Sequence, residues 1–234
     1  MEEEDFGQGY ARRFRPTTLD GYIGNEDLVT SVFERLKSSK SRPQSFLLTG
    51  PTGCGKTTLA RLLAKEYMCE DRSDDTGSCG TCPNCEMIDT YIQTGDTGGL
   101  TDVMEIDITS SGGKEDMNEL IEEFSYSSML GGWKVYILDE VHLATNNAQN
   151  RLLKPLEEPP ENVLLIFCTT DPQKILETLK NRCRVKEEVR KPSLSQLSQL
   201  LAGVCKTENI LWDKEGLRLL ATRADFIIRN ALNY

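Results

Sequence analysis

The chain has 234 residues, with 27 Lys+Arg against 37 Asp+Glu and a net charge of −10, and a pI near 4.8. At roughly 100–200 residues per domain it holds one large domain, or one and part of a second, and its 38% hydrophobic and 7% aromatic residues supply a core and exclude general disorder. No run approaches the ~18 apolar residues of a membrane span, the acidic start Met1-Glu2-Glu3-Glu4-Asp5 is unlike a basic signal peptide, and the acidity excludes a protein that grips nucleic acid over its whole surface; a soluble, cytoplasmic protein with no membrane partner and at most a local DNA-facing patch is expected.

In chain order, Leu28, Val29, Val32, Phe33 and Leu36 keep a helical spacing, and Ser45–Thr49 form a short continuous apolar strand. Leu59, Leu62 and Leu63 resume a helix, Val103–Asp107 a strand, and Met117, Leu120, Ile121 and Phe124 another helix. Val135–Leu138 and Val163–Thr170 read as buried strands on either side of a helical stretch, Ala148–Glu157, in which Pro155 should kink or end the helix, and Val185–Val189 is a weaker fifth strand. Strands too continuous to be half exposed, alternating with helices, predict an α/β fold with a parallel five-stranded sheet between helices. After Lys191-Pro192 only helical spacing follows: Leu194–Leu201, Leu217–Leu220 and Ile227–Leu232. A boundary is therefore placed between residues 1–190 and a small all-α unit, 191–234, which is expected to be cut short in its last helix.

The strand Phe46-Leu47-Leu48-Thr49 runs into Gly50-Pro51-Thr52-Gly53-Cys54-Gly55-Lys56-Thr57-Thr58 and then a helix. This is a complete GxxxxGK[ST] phosphate-binding loop in its strand–loop–helix setting. The glycines let backbone N–H groups curl round phosphates at a helix N-terminus, Lys56 reaches the β/γ-phosphates, and the Thr57 hydroxyl serves Mg²⁺. Val135-Tyr136-Ile137-Leu138 ends in Asp139-Glu140, two acids whose burial at a strand end is costly without a task. Asp139 is placed to hold the Mg²⁺ shell and Glu140 to orient or deprotonate an attacking water. Together these motifs indicate a nucleoside triphosphatase. His142, the only histidine, gives a DExH-like phrase, but a lone loop histidine is read as a polar surface or helix-start residue.

Four of the eight cysteines lie within 17 residues: Cys69, then Cys79-Gly80-Thr81-Cys82-Pro83-Asn84-Cys85. Two consecutive CxxC spacings in a cytosolic chain favour a closed, structural Zn²⁺ site that staples a loop at about 69–85 with little core of its own. Free thiols and an iron–sulfur cluster are the other uses of this pattern. Cys54, Cys168, Cys183 and Cys205 read as core or incidental.

These phrases carry a family resemblance. With Arg12-Arg13-Phe14-Arg15-Pro16 and Ile23-Gly24 near the start, Leu153-Lys154-Pro155-Leu156-Glu157-Glu158-Pro159-Pro160, Thr169-Thr170-Asp171-Pro172-Gln173-Lys174 and Asn181-Arg182-Cys183, the chain resembles, from about residue 10 to its end, the AAA+ motor ATPases of bacterial clamp loaders, the gamma/tau type of DNA polymerase III, or a phage-type relative. The resemblance implies that Thr170 is sensor 1, that Arg182 is an arginine finger acting in trans on a neighbour's nucleotide, that Arg229 is the sensor 2 arginine of a helical lid, and that Arg15, Pro16 and Ile23 pack near the adenine. It implies ATP, Mg²⁺ and Zn²⁺, other clamp-loader subunits, a sliding clamp and primer-template DNA as partners, and a collar domain that 191–234 does not reach.

Three departures stand out. Ser110-Ser111-Gly112-Gly113-Lys114 replaces a basic DNA-facing segment and leaves Ser111 and Lys114 as the candidates for phosphate contact, Pro155 interrupts a helix, and Phe226-Ile227 stands ahead of Arg229 where the family has a small Gly-Ser pair. The function expected is an ATP-hydrolysing clamp-loader subunit. A non-hydrolysing structural subunit of the same fold and an AAA+ helicase or translocase are the alternatives, the first disfavoured by intact Lys56, Thr57, Asp139 and Glu140, the second by the cysteine cluster.

Overall fold

The computed structural model describes residues 9–37, 42–97, 99–109, 121, 124 and 132–234. Met117, Leu120 and the Ser110–Lys114 segment, including Ser111 and Lys114, lie outside them.

Five strands, β1 (Ser45–Thr49), β2 (Val103–Asp107), β3 (Lys134–Asp139), β4 (Val163–Thr169) and β5 (Val185–Glu188), form one sheet in the order β2-β3-β4-β1-β5, with every pair parallel. All their carboxyl ends therefore lie along one edge, where ligands of open α/β sheets bind.

The continuous apolar runs are explained by burial of both faces. Phe46, Leu48, Val135, Ile137, Leu164, Ile166 and Cys168 join one core, while their neighbours Leu47, Tyr136, Leu138, Leu165 and Phe167 join the other, as the two-residue period of a strand requires. The first core is closed by three helices, α2 (Glu26–Leu36), α3 (Lys56–Met68) and α4 (Pro83–Thr94), through side chains such as Val32, Leu59, Leu63, Ile88 and Ile92. The second is closed by α5 (Asn146–Arg151), α6 (Leu153–Glu157) and α7 (Glu177–Arg182), through Ala148, Leu152, Leu156 and Leu179.

Pro155 acts one turn earlier than its own position. It has no N–H for the carbonyl of Arg151, and its ring crowds that carbonyl, so the helix breaks at Leu152 and Pro155 lies within the first turn of α6. Helix α4 was not expected from the sequence. It starts at the second half of the cysteine cluster, with Cys82 as N-cap and Pro83 in its first turn, and it buries Ile88, Tyr91 and Ile92 in the sheet core. The insertion is thus a loop only up to Cys82; the remainder is a core helix.

The C-terminal helices α8 (Leu194–Thr207), α9 (Lys214–Arg223) and α10 (Ile228–Asn233) share a core of Leu197, Leu201, Val204, Leu217, Ala221 and Leu232. Ser193 opens α8 with a reciprocal capping box to Gln196. The short N-terminal helix α1 (Tyr10–Arg13) packs on this core, not on the sheet, through Tyr10 and Ala11, with Phe14 beside it. Phe226, where a small residue was expected, sits at φ 58 with Asp225 at φ 54. The left-handed turn is kept although a bulky residue occupies it, because Phe226 N–H bonds the Ala221 carbonyl at 3.1 Å and its ring packs against the helical core.

Candidate functional site

β1 delivers the chain into the phosphate-binding loop between β4 and β5. Gly50 N–H donates to Thr169 O at 3.2 Å, and Val189 N–H donates to Thr49 O at 2.7 Å. Gly50 has φ 145, and a Cβ there would stand 2.2 Å from the Val189 carbonyl oxygen; at Gly53, φ 77, a Cβ would meet Ile227 Cγ2 at 2.7 Å. Only glycine lets sheet and helical unit approach the loop this closely. Gly55 then leads into α3, whose first N–H groups and dipole face the loop.

Lys56 is 5% exposed and its ammonium donates to the carbonyls of Gly50 at 3.0 Å and Pro51 at 3.1 Å. Thr57 Oγ1 donates to Asp139 Oδ2 at 2.7 Å, joining the loop to the end of β3. Two ligands on adjacent vertices of an octahedral Mg²⁺ shell, each ~2.1 Å from the ion, lie ~3 Å apart. This hydroxyl–carboxylate pair has that spacing and the oxygen chemistry the ion prefers.

Glu140 follows at φ 51. Its Oε2 accepts from Thr170 Oγ1 at 2.8 Å and Thr170 N–H at 3.2 Å, and His142 Nδ1 lies 3.1 Å from the same oxygen. His142 Nδ1 is also 3.1 Å from Thr169 Oγ1. His142 is a helix-start residue, in the 3-10 turn Val141–Leu143, but the surface alternative is corrected: its side chain is 10% exposed, because the turn folds it back against the end of β4.

Lys56, Thr57, Asp139 and Glu140 line a cleft of about 280 Å³, while Thr169, Thr170 and His142 are not part of its lining. Thr52, Gly53, Gly55, Lys56, Thr57 and Thr58 form its floor, Asp139 and Glu140 one wall, Arg15, Pro16 and Ile23 another, and Arg229 comes from α10. Gly50, Pro51 and Cys54 do not line it: Cys54 is fully buried beneath the loop, and burial pushes its thiol up. Arg229 N–H reaches the Gly53 carbonyl at 3.4 Å, so the helical unit touches the phosphate loop directly. The Arg15 guanidinium is held down at about 10, first by burial and then by the charge of Arg61, with Arg229 and Arg12 adding to it and Glu105 opposing. A cation in that setting is poised for an anion. Tyr22, which the sequence did not single out, also lines the cleft; its buried hydroxyl has no hydrogen-bond partner among the described residues.

Arg182 lies away from this cleft. Its guanidinium pairs with Glu157 and donates to Thr178 O at 3.2 Å, and its side chain is 35% exposed.

The sulfur atoms of Cys69, Cys79, Cys82 and Cys85 all lie within 4.8 Å of one another. Tetrahedral ligands ~2.3 Å from Zn²⁺ are ~3.8 Å apart, so a small contraction closes a four-thiolate shell. Cys79 N–H points at Cys69 Sγ at 3.2 Å, and Cys79 Sγ accepts from Cys82 N–H at 3.3 Å and Thr81 N–H at 3.5 Å. Those backbone donors hold the Cys79 thiol down at about 6, favouring the thiolate that a metal requires. The knuckle is tied to α3 by Glu66, which accepts from Arg72 Nε at 2.8 Å and Ser78 N–H at 3.0 Å.

Residues 25–187 match the family described as DNA polymerase III, delta subunit. The chain belongs to that family. It is 37% identical over 226 residues to the DNA polymerase III subunit tau/gamma of Haemophilus influenzae, covering 97% of this chain and 31% of the relative. It is 36% identical to subunit tau of Escherichia coli, again over 97% of this chain and 34% of the relative, and 35% identical to subunit gamma of Buchnera aphidicola from Acyrthosiphon pisum, over 95% of this chain and 59% of the relative. The resemblance to the gamma/tau type read from the motifs is thus met, and the chain spans about a third of the first two relatives' length. Among solved structures, the Holliday junction branch migration motor RuvB of Thermotoga maritima superposes with a TM-score of 0.66 at 19% identity, covering 93% of this chain and 62% of that one. The fold is that of an AAA+ P-loop ATPase. No helix of the described residues is long and apolar enough to cross a membrane.

Proposed function

We propose that this chain is an ATP-hydrolysing subunit of a DNA polymerase sliding-clamp loader. The observation that carries the proposal is the meeting, in one cleft, of the Lys56–Thr57 loop, the Thr57–Asp139 contact and the Thr170-bound Glu140 carboxylate, in a chain whose relatives are DNA polymerase III subunits.

In this reading the loop N–H groups and Lys56 bind the phosphates of ATP, and Lys56 exchanges its two carbonyl contacts for phosphate oxygens. Thr57 and Asp139 hold Mg²⁺, which when bound neutralises charge on the β/γ-phosphates. Glu140 orients the attacking water and takes its proton, and Thr170 senses the γ-phosphate through the carboxylate it grips. Arg15, Pro16 and Ile23 flank the base, and Arg229 links nucleotide binding to the helical unit 191–234, acting as a lid on the ATPase unit 1–190. Arg182, half-buried and outside the lining of its own cleft, acts in trans on a neighbouring subunit's nucleotide. ATP at such interfaces favours the assembly that opens a sliding clamp on primer-template DNA, and hydrolysis releases it. The four cysteines hold Zn²⁺ as a structural staple.

A non-hydrolysing structural subunit is the second reading, favoured by the delta-subunit description of the family and disfavoured by the intact Lys56–Thr57–Asp139–Glu140 set. The deciding experiment is ATPase activity of the wild type against Glu140→Gln, with a sliding clamp, partner subunits and primer-template DNA supplied. DNA-stimulated turnover by the wild type, lost in Glu140→Gln with ATP binding retained, supports hydrolysis. ATP binding without turnover by the wild-type assembly selects the structural subunit.

A further inference from the structure

The geometry around Glu140 points to one more functional residue. We propose that His142 is the positioning residue of the Glu140 carboxylate, aiming it at the attacking water; this rests on the reading above that Glu140 activates that water. Three groups converge on Oε2: Thr170 Oγ1 at 2.8 Å, Thr170 N–H at 3.2 Å and His142 Nδ1 at 3.1 Å. No described residue donates to Oε1, and Glu140 lines the cleft. A carboxylate with one oxygen saturated and the other open is fixed in rotation, and its free oxygen becomes the base.

The contact also fixes the tautomer of His142. If Nδ1 carried a lone pair, it would face the anionic Oε2 at 3.1 Å, a repulsive pairing of two acceptors. Nδ1 therefore carries the proton, its hydrogen-bond acceptor is Thr169 Oγ1, 3.1 Å away, and the positive edge of the N–H lies beside Oε2. Thr169 is itself held by Asp171 N–H, which donates to Oγ1 at 3.1 Å. The residue after β3, the turn at Val141–Leu143 and the residues at the end of β4 thus form one rigid frame. Thr170 holds Oε2 by hydrogen bonds from the β4 side; His142 sets a polar contact against it at 3.1 Å from the β3 side, and both are needed to stop the carboxylate turning about its last bond.

Because His142 is the only histidine in the chain, its imidazole gives a single set of nitrogen and carbon resonances. In the full chain at pH 8 these are expected to report a proton on Nδ1, and Glu140→Gln should weaken that preference, since a neutral amide repels a lone pair on Nδ1 less than a carboxylate does. In kinetics, with primer-template DNA and partner subunits present, His142→Ala should lower kcat for ATP roughly tenfold, about the loss of one close polar contact to a charged group in the transition state, while the Kd of a fluorescent ATP analogue stays within about twofold. His142→Asn places an amide N–H near the position of Nδ1 and should restore most of the rate; His142→Gln, which reaches the position of Nε2 instead, should not. Wild-type kcat in His142→Ala, equal rates for the Asn and Gln variants, or a wild-type imidazole protonated on Nε2 would overturn the inference and leave the ATPase reading standing. ATP binding with no turnover in the wild-type assembly would overturn both.

Discussion

Replacing Glu105 with Gln keeps the side chain's shape and removes its charge beside the cleft. Arg61, with a side chain 9% exposed, donates through Nε and Nη2 to the two Glu105 oxygens at 2.8 and 2.9 Å. Tyr91 Oη donates to the same carboxylate at 2.5 Å, and the guanidinium lies 4.3 Å from the Tyr91 ring centroid. Removing one partner of a buried ion pair costs about 3–5 kcal/mol, because the other charge is left uncompensated. Here Glu105 is 20% exposed and Arg61 keeps long contacts to the carbonyls of Tyr91 and Ile92 at 3.4 and 3.5 Å, which places the loss near 2–3 kcal/mol. At about 2–4 °C per kcal/mol for a chain of this size, the melting temperature should fall by about 4–12 °C. Nucleotide binding should move the other way. Glu105 is an anion acting on Arg15 at the cleft wall, and without it the cleft is more attractive to phosphate. Thermal unfolding followed by circular dichroism, with and without Mg-ATP, checks both: a lower melting temperature together with a larger ATP-induced rise is expected. A fall of less than ~2 °C would show that the pair is not the buried network described, and a smaller ATP-induced rise would show that Glu105 does not act on the cleft.

Gly50→Ala should abolish ATP binding and lower the yield of folded protein, because the added Cβ would lie 2.2 Å from the Val189 carbonyl; equilibrium binding of a fluorescent nucleotide reads this directly. Arg182→Ala should leave ATP affinity unchanged and reduce assembly-stimulated hydrolysis by about 10³-fold or more, whereas Glu157→Ala, which only releases the guanidinium from its partner in the same chain, should keep most of the rate. Metal-depleted protein should be alkylated first at Cys79, with the rate rising through a pH of about 6, and Zn²⁺ should protect all four thiols, which mass spectrometry resolves. The sign for stability follows from the same donors. They favour the Cys79 thiolate of the folded, metal-free chain, so their contribution is complete above the ordinary thiol value of about 8.5 and is lost as pH falls through about 6.

The features legible in the sequence were those written within one contiguous stretch. The loop Gly50–Thr58 needs a strand before it and a helix after it, and both are visible as local apolar runs. The four cysteines are close in sequence and, in the structure, close in space. Asp139 and Glu140 were legible as two acids at a buried strand's end. What stayed hidden depended on partners far along the chain. His142 read as a polar surface or helix-start residue, and its burial stayed hidden because its contacts, Thr169 and Glu140, meet only when β3 and β4 pair; the available signal was the position of the sole histidine three residues after Asp139, in step with a tight turn. Helix α4 was masked by polar residues on its outer face, since its buried set is only Cys85, Ile88, Tyr91 and Ile92. Tyr22 carried no motif, and its place in the cleft follows from the N-terminal segment being pinned by Asn25, whose side chain bonds both the N–H and the carbonyl of Arg190.

By itself, then, the sequence determined the element types, the parallel character of the sheet and the chemistry of its two motifs, because apolar period, glycine spacing and ligand type are local properties. Tertiary structure decided which atoms face each other. The strand order β2-β3-β4-β1-β5 sets β4 between the phosphate loop and the acids, so that Thr170 can grip Glu140. The packing of α1 and α10 on one helical core brings Arg15 and Arg229 to the same cleft. Neither arrangement follows from spacing along the chain, since the pairing of β1 with β4 and the packing of α1 with α10 each bury surfaces more than a hundred residues apart.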